Sequence, residues 1–157
     1  MTEIGLISDT HGMLRAAVHE ALAGVAMILH AGDVGGVEIL DELALIAPVH
    51  AVLGNTDAPW VLPVPAERIV EVEGVRIHLS HGHEVGRPGG ARLVAAYPGF
   101  DVIVYGHSHV QKVERVGEVL VVNPGAAGAR RFDLAPSVAR LTVADGCAEV
   151  LLVDLPG

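Results

Sequence analysis

Ile4-Gly5-Leu6-Ile7-Ser8-Asp9-Thr10-His11-Gly12 is the stretch on which the fold turns. Its apolar run is too short for a helix and suits a buried strand, and it ends abruptly in polar residues backed by a glycine. Leu14, Val18, Leu22 and Val25 then recur at near-helical spacing, which predicts a helix over 14–23 stopped by Gly24. A second buried strand is expected over 27–29, and a second helix over 37–47 is closed by Pro48 before a strand over 49–53. The front of the chain therefore reads β-α-β-α-β. After a proline-rich connection over 60–65 the pattern changes to hairpins. Strands over 68–72 and 75–79 flank Glu73-Gly74, and further hairpins turn at Gly117-Glu118 and Asp145-Gly146. Between them lie a loop over 80–90, a short helix over 91–96 and a buried strand over 102–105. Alternation in front and hairpins behind predict two mixed sheets packed together with helices outside, within one domain spanning 1–157.

Composition narrows the function. The 157 residues are 51% apolar and 18% charged, which excludes a disordered chain. A net charge of −9 disfavours long nucleic acid held on a general basic surface. Cys147 has no partner within the chain, so an internal disulfide and a multi-thiolate zinc site are both excluded. With no basic leader and no long apolar run, a reducing, cytoplasmic setting without a membrane span is expected.

The informative polar residues sit just after the predicted strands: Asp9-Thr10-His11, His30-Ala31-Gly32-Asp33, Gly54-Asn55-Thr56-Asp57, His81-Gly82-His83 and Gly106-His107-Ser108-His109. The C-terminal ends of strands in open α/β sheets line the ligand crevice, so five distant segments would deliver carboxylate, imidazole and carboxamide groups to one rim. Asp9, His11, Asp33, Asn55, His81, His107 and His109 are candidate ligands, enough for two ions roughly 3.5–4 Å apart sharing a carboxylate. Such donors suit manganese, iron, zinc, nickel or cobalt better than copper(I) or calcium. Gly12, Gly32, Gly54, Gly82 and Gly106 stand beside these ligands, where tight turns and positive φ are expected.

These segments resemble the calcineurin-like metallophosphoesterase superfamily, and within it the small bacterial and archaeal phosphodiesterases of the YfcE-like type. The resemblance runs from Ile4 to about Arg131 and is carried by Ser8-Asp9-Thr10-His11-Gly12, Gly32-Asp33, Gly54-Asn55, Ser80-His81-Gly82-His83, Gly106-His107-Ser108-His109 and Val122-Asn123-Pro124-Gly125. It implies a four-layer αββα sandwich, an α+β or α/β fold of two mixed sheets flanked by helices, with a dinuclear centre. By that analogy Asp9, His11 and His109 hold a first ion, Asn55, His81 and His107 a second, and Asp33 bridges them. Two divalent ions are expected as cofactors, manganese first, with iron, nickel, zinc or cobalt as alternatives. The chain departs from the wider pattern twice: Gly36 stands where an acidic residue is usual, and Thr56 where a histidine commonly assists the leaving group, although YfcE-like members often lack that histidine.

The implied reaction is hydrolysis of a small phosphodiester by a metal-bridging hydroxide. With threonine at 56, leaving-group protonation falls to water, His83 or Asp57, which join Asp33 and Asn55 as candidate catalytic residues. Arg130 and Arg131 are candidates to clamp the phosphate. His30 reads either as an orienter of a ligand or as a satisfied core histidine, Asp57 also as the holder of a neighbouring ligand or a cap of its turn, and His19, His50 and His78 as packing residues. Competing functions are a phosphomonoesterase using the same site, an aspartyl-phosphate phosphatase and a non-catalytic scaffold. The second would use Asp9 as nucleophile but has His11 where a further Asp is usual. The third follows a eukaryotic retromer subunit that looks like a relative of this fold. Apolar hairpins at the back of the chain offer a surface for a homo-oligomer.

Overall fold

In the computed structural model, which describes residues 1–131 and 133–156, the chain forms ten strands, three α-helices and a 3₁₀ turn. The strands are β1 (Thr2–Ile7), β2 (Met27–His30), β3 (Val49–Ala51), β4 (Glu67–Val72), β5 (Val75–Ser80), β6 (Val102–Val104), β7 (Lys112–Val116), β8 (Val119–Asn123), β9 (Ser137–Ala144) and β10 (Cys147–Asp154). The helices are α1 (Ala17–Ala21), α2 (Val37–Leu43) and α3 (Gly90–Ala96), and the 3₁₀ turn is His83–Val85.

Two five-stranded mixed sheets result, in the orders β10-β9-β1-β2-β3 and β4-β5-β6-β8-β7. In the first, β1, β2 and β3 are parallel while β9 and β10 return antiparallel. In the second, β5, β6 and β8 are parallel and β4 and β7 are hairpin partners at the two edges. Alternation along each strand sorts side chains into layers. Ile4, Leu6 and Leu29 face Ile77, Val104 and Val122 between the sheets. Ile7 and Ile28 face outward onto Val18 of α1, Leu22 just beyond it, and Ile39 and Leu43 of α2. Ile103 and Val121 face Leu93 of α3 on the far side. The order is therefore helices, sheet, sheet, helix.

The first two helices are shorter than their apolar spacing predicts, while α3 spans the expected stretch. In the first turn of α1 the amides of Val18 and His19 bond three residues back, to Arg15 and Ala16, and no side chain caps the helix. Leu14 still packs into the core, so the spacing marked burial, not continuous α-helix. After α2 the chain tightens the same way, Leu45 to Glu42 and Ile46 to Leu43, before Pro48. The Glu73-Gly74 and Asp145-Gly146 turns have φ of 46° and 79°, and 50° and 77°, the geometry that two-residue hairpins favour. Among the described residues no helix is long and apolar enough to cross a membrane.

Candidate metal centre

The parallel cores of the two sheets bring the ends of β1, β2, β3, β5 and β6 to one rim. Beyond β1 and β2 the turns stay zipped by main-chain bonds: the amides of Asp9, His11 and Gly12 donate to the carbonyls of Gly32, Asp33 and Val34, at 2.8–3.0 Å. In the second sheet the Gly106 amide donates to the His81 carbonyl at 2.9 Å.

These turns hold their side chains in uncommon backbone conformations. The non-glycine residues with positive φ are Asp9, His11, Asp33, His107 and His109, together with Glu73 and Asp145 of the hairpins, among the described residues. All five outside the hairpins are sequence-predicted ligands, and strain of this kind gathers where surrounding structure over-determines a functional geometry. The adjoining glycines divide into two groups. Gly12, Gly32 and Gly82 have φ of 80°, 99° and 100°, as expected. Gly54 and Gly106 do not, and serve close approach instead. A Cβ on Gly54 would overlap Asp33 Oδ1 and its amide, and one on Gly106 would overlap Ser8 Oγ and stand 2.7 Å from Asp9 Oδ2.

All seven predicted ligands come together. His11 Nε2 lies 3.3 Å from His109 Nε2, and Asp9 Oδ1 lies 3.4 Å from His109 Nε2 and 3.7 Å from His11 Nε2. His81 Nε2 lies 3.2 Å from Asp33 Oδ2, and His107 Nδ1 lies 3.1 Å from Asn55 Oδ1. Donor atoms bound about 2.1 Å from one ion sit roughly 3.0–3.5 Å from each other, so these are the spacings of a ligand shell. Asp33 Oδ2 faces both His81 and, at 3.6 Å, His11, which belong to the two different sets implied by the resemblance. Asp9 Oδ1 also faces His81, at 3.7 Å, so both carboxylates stand between the sets.

The donor set fits divalent ions for a reason visible in the hydrogen bonding. His81 is fully buried, and its Nδ1–H donates to the Ala31 carbonyl at 2.7 Å, which leaves an Nε2 lone pair aimed at two carboxylates. His81 Nε2 and Asp9 Oδ1 are both buried without a hydrogen-bond partner. Lone pairs converging in a buried space call for a cation among them.

The titration of these groups tells the same story. Burial works against charge on Asp9, yet His109, His11 and the Ser8 hydroxyl outweigh it and hold the carboxyl well below the usual carboxylate range. Burial likewise opposes charge on Asp33, but His81 and the Thr56 amide bring its pKa down to about 2. His11 is raised by Asp9, with burial and the charge of Arg131 opposing. His81 is penalised by burial but raised overall by Asp33 and Asp9, and His107 is lowered by burial and by His81. Without a metal, protons supply the positive charge that the two carboxylates attract.

The remaining predicted residues occupy different stations. Asp57 is no free acid: Oδ2 accepts from the Val34 and Gly54 amides at 3.1 and 2.9 Å, and Oδ1 from the Gly35 amide at 3.1 Å. Its carboxylate fastens the Asp33 turn to the Asn55 turn, a geometry that argues against proton delivery. The His83 ring lies 5.4 Å from the His81 ring and 6.1 Å from the His107 ring, at the edge of the cluster, with Nδ1 3.7 Å from Glu84 Oε1. Arg130 and Arg131 are both exposed, and of the two it is Arg131 whose charge reaches His11.

Sequence reasoning passed over three supports. Ser8 Oγ–H donates to Asp9 Oδ2 at 2.6 Å, and the His107 amide donates to the same oxygen at 3.1 Å. Asn123, at the end of β8, donates to the Gly106 carbonyl and to Ser108 Oγ while accepting from the Gly125 amide, and so holds the turn bearing His107 and His109. Thr10, buried between two ligands, bonds to His30 and to the Val34 carbonyl.

Comparison with known proteins agrees with this geometry. The family model described as the calcineurin-like phosphoesterase superfamily domain matches residues 2–146. A protein of Methanothermobacter thermautotrophicus named "probable metallophosphoesterase" is 37% identical over 158 residues, covering 96% of this chain and 86% of that protein. The phosphodiesterase YfcE of Escherichia coli is 28% identical over 151 residues, covering 80% of this chain and 79% of its own length. Among solved structures, Vps29 of Entamoeba histolytica complexed with zinc superposes with a TM-score of 0.78 at 25% identity, covering 97% of this chain and 98% of that one.

Proposed function

The chain belongs to the calcineurin-like phosphoesterase superfamily, and from that premise we propose that it is a dinuclear metal-dependent phosphodiesterase acting on small phosphate esters. The observation that carries this reading is the convergence of Asp9, His11, Asp33, Asn55, His81, His107 and His109 at ligand spacing around buried, unpartnered Asp9 Oδ1 and His81 Nε2. Two divalent ions, manganese first, would supply hydroxide near neutral pH and positive charge for the phosphoryl oxygens. The chain's own residues do the rest. Asp9, His11 and His109 would hold one ion, Asn55, His81 and His107 the other, and Asp33 both. Asp57, through three amides, keeps the Asp33 and Asn55 turns at a fixed separation. Arg131 would meet the phosphate from the His11 side. His83, at the edge of the cluster, is the remaining side-chain candidate to protonate a leaving oxygen, and with threonine at 56 activated aryl diesters should react faster than alkyl ones.

A second reading is a non-catalytic scaffold, supported by the likeness to Vps29. A phosphomonoesterase at the same site is the nearer alternative. A cytoplasmic location, a small substrate in preference to long nucleic acid, and self-association of the chain are further parts of the proposal, the second of them supported by the net charge of −9. The test is hydrolysis of bis(p-nitrophenyl) phosphate beside p-nitrophenyl phosphate, with chelator and with added Mn²⁺. The proposal expects the diester to react faster, chelator to abolish turnover and Mn²⁺ to restore it. Asp33→Ala should lose both ions and the activity. Mn²⁺ uptake without hydrolysis of either ester would favour the scaffold, and wild-type metal content in Asp33→Ala would remove the bridge.

A further inference from the structure

We propose that Thr10 and His30 are positioning residues that set the spacing between the turn bearing Asp9 and His11 and the turn bearing Asp33, and thereby the affinity of the centre for its ions. The inference rests on reading the cluster as a metal centre. It stands on a chain of hydrogen bonds between groups that touch none of the ligand atoms.

His30 and Thr10 are both fully buried. The Gly32 amide donates to His30 Nδ1 at 3.1 Å, so the ring proton is on Nε2. Nε2–H then donates to Thr10 Oγ1 at 3.0 Å, and Thr10 Oγ1–H donates to the Val34 carbonyl at 2.7 Å. Every polar atom in the chain has a partner, and the direction of each bond is forced by the one before it. The network starts and ends on the residues that flank Asp33, Gly32 and Val34, and its middle is the residue between Asp9 and His11.

Both ends are closely packed, so a shift at either is passed on to its neighbours. A Cβ on Gly32 would stand 2.8 Å from the Gly54 amide and 2.9 Å from His81 Nδ1, so that turn is hemmed in by two neighbours of the site. On the other side the Gly128 backbone packs so closely on the Thr10 carbonyl that a Cβ there would overlap it. If the Thr10 hydroxyl is removed, His30 Nε2–H loses its partner, and the Val34 carbonyl keeps only the Gly12 amide. The other neutral tautomer is no escape, since it would set Nδ1–H against the Gly32 N–H. The ring or the Gly32 turn must move, and Asp33 follows the turn. Residues that orient ligands without binding the ion typically govern metal affinity about 10- to 100-fold.

The experiment titrates chelator-stripped wild type, Thr10→Val and Thr10→Ser with MnCl₂ in a calorimeter, well below the melting temperature of each metal-free protein. Thr10→Val keeps the shape and deletes the hydroxyl, and should bind Mn²⁺ about tenfold more weakly. Thr10→Ser restores the hydroxyl and should bind as the wild type does. Should Thr10→Val fail to fold, His30→Asn carries the same comparison, because its amide oxygen can take the Gly32 N–H but cannot reach Thr10. A variant with a lowered metal-free melting temperature and wild-type Mn²⁺ affinity would overturn the inference, since the network would then be ordinary core. A wild type that takes up no Mn²⁺ would overturn the reading of the site, and this inference with it.

Discussion

Gly54→Ala adds one methyl group at the point where the Asn55 turn leans on the Asp33 turn. The backbone of Gly54 lies outside the left-handed region, so alanine meets no conformational penalty there. Elsewhere such a change stabilises by about 0.4–1 kcal/mol, through the lowered entropy of the unfolded chain. Here the new Cβ would overlap Asp33 Oδ1 and amide nitrogen and stand 2.7 Å from Asp33 Cγ. Relief requires the two turns to part by about 1 Å, at a cost of about 1–3 kcal/mol as for other overpacked sites. The same movement stretches the 2.9 Å bond from the Thr56 amide to Asp33 Oδ1 and the 2.9 Å bond from the Gly54 amide to Asp57. A misplacement of about 1 Å at a reacting centre can cost about 100-fold in rate. The expected protein is thus folded, slightly less stable in urea with chelator present, and about 100-fold slower on bis(p-nitrophenyl) phosphate with Mn²⁺. Gly89→Ala is the control, with extended backbone and nothing within 4 Å of its added methyl. If Gly54→Ala matched that control in Mn²⁺ uptake and turnover, the contact between the two turns would not be what aligns Asp33.

Other perturbations separate the remaining roles. Asp57→Asn turns an N–H of its new amide toward main-chain donors, and should cost about 1–3 kcal/mol of stability. Its turnover should fall by the same factor for good and poor leaving groups, whereas a deficit growing with leaving-group pKa would make Asp57 an acid after all. Burial lowers the pKa of His30 to about 4, although Asp9, Asp57 and Asp33 raise it and His81 opposes them. Below about 6.5 the unfolded chain takes up the proton first, so this group's contribution to stability is lost as pH falls from about 6.5 to about 4, by about 3 kcal/mol. Urea unfolding of metal-free wild type and His30→Gln should therefore converge by that amount across the window, and a constant difference would refute the neutral, buried imidazole. Thr56→His should raise turnover of alkyl esters relative to aryl ones, and an unchanged ratio would mean that position 56 faces away from the leaving oxygen.

The cluster of candidate ligands was legible in the sequence because each member stands where an apolar run stops. Asp9, Asp33, His81 and His107 each follow a strand core, and the sheet arithmetic then brings them to one rim. The hairpins were legible for a local reason, since Glu73-Gly74 and Asp145-Gly146 carry their turn geometry in the residues themselves. The lengths of α1 and α2 were not. Leu14, Val18 and Leu22 report which side is buried, and a chain of tight turns buries Leu14 as well as an α-helix does. Of the readings the sequence offered for Asp57, proton donor or turn cap, its contacts fit the second, and the sequence could not choose between them. Its three partners are main-chain amides, identical in every residue and so invisible in composition. Gly54 and Gly106 were expected to bend the chain, but what each needs space for is a carboxylate or hydroxyl brought from a distant segment.

The five candidate ligands in left-handed backbone have a bearing on how such a frame changes over descent. Each holds a conformation that costs about 1 kcal/mol or more, a total on the order of 5 kcal/mol against a usual net stability of about 5–15 kcal/mol. Glycine or asparagine at His11, His107 or His109 would release that tension and dissolve the cluster of converging lone pairs in the same step. A lineage freed from the need for metal would drift toward a sturdier molecule simply by losing its chemistry. The frame's stability and its arrangement of lone pairs are thus set against each other at the same residues.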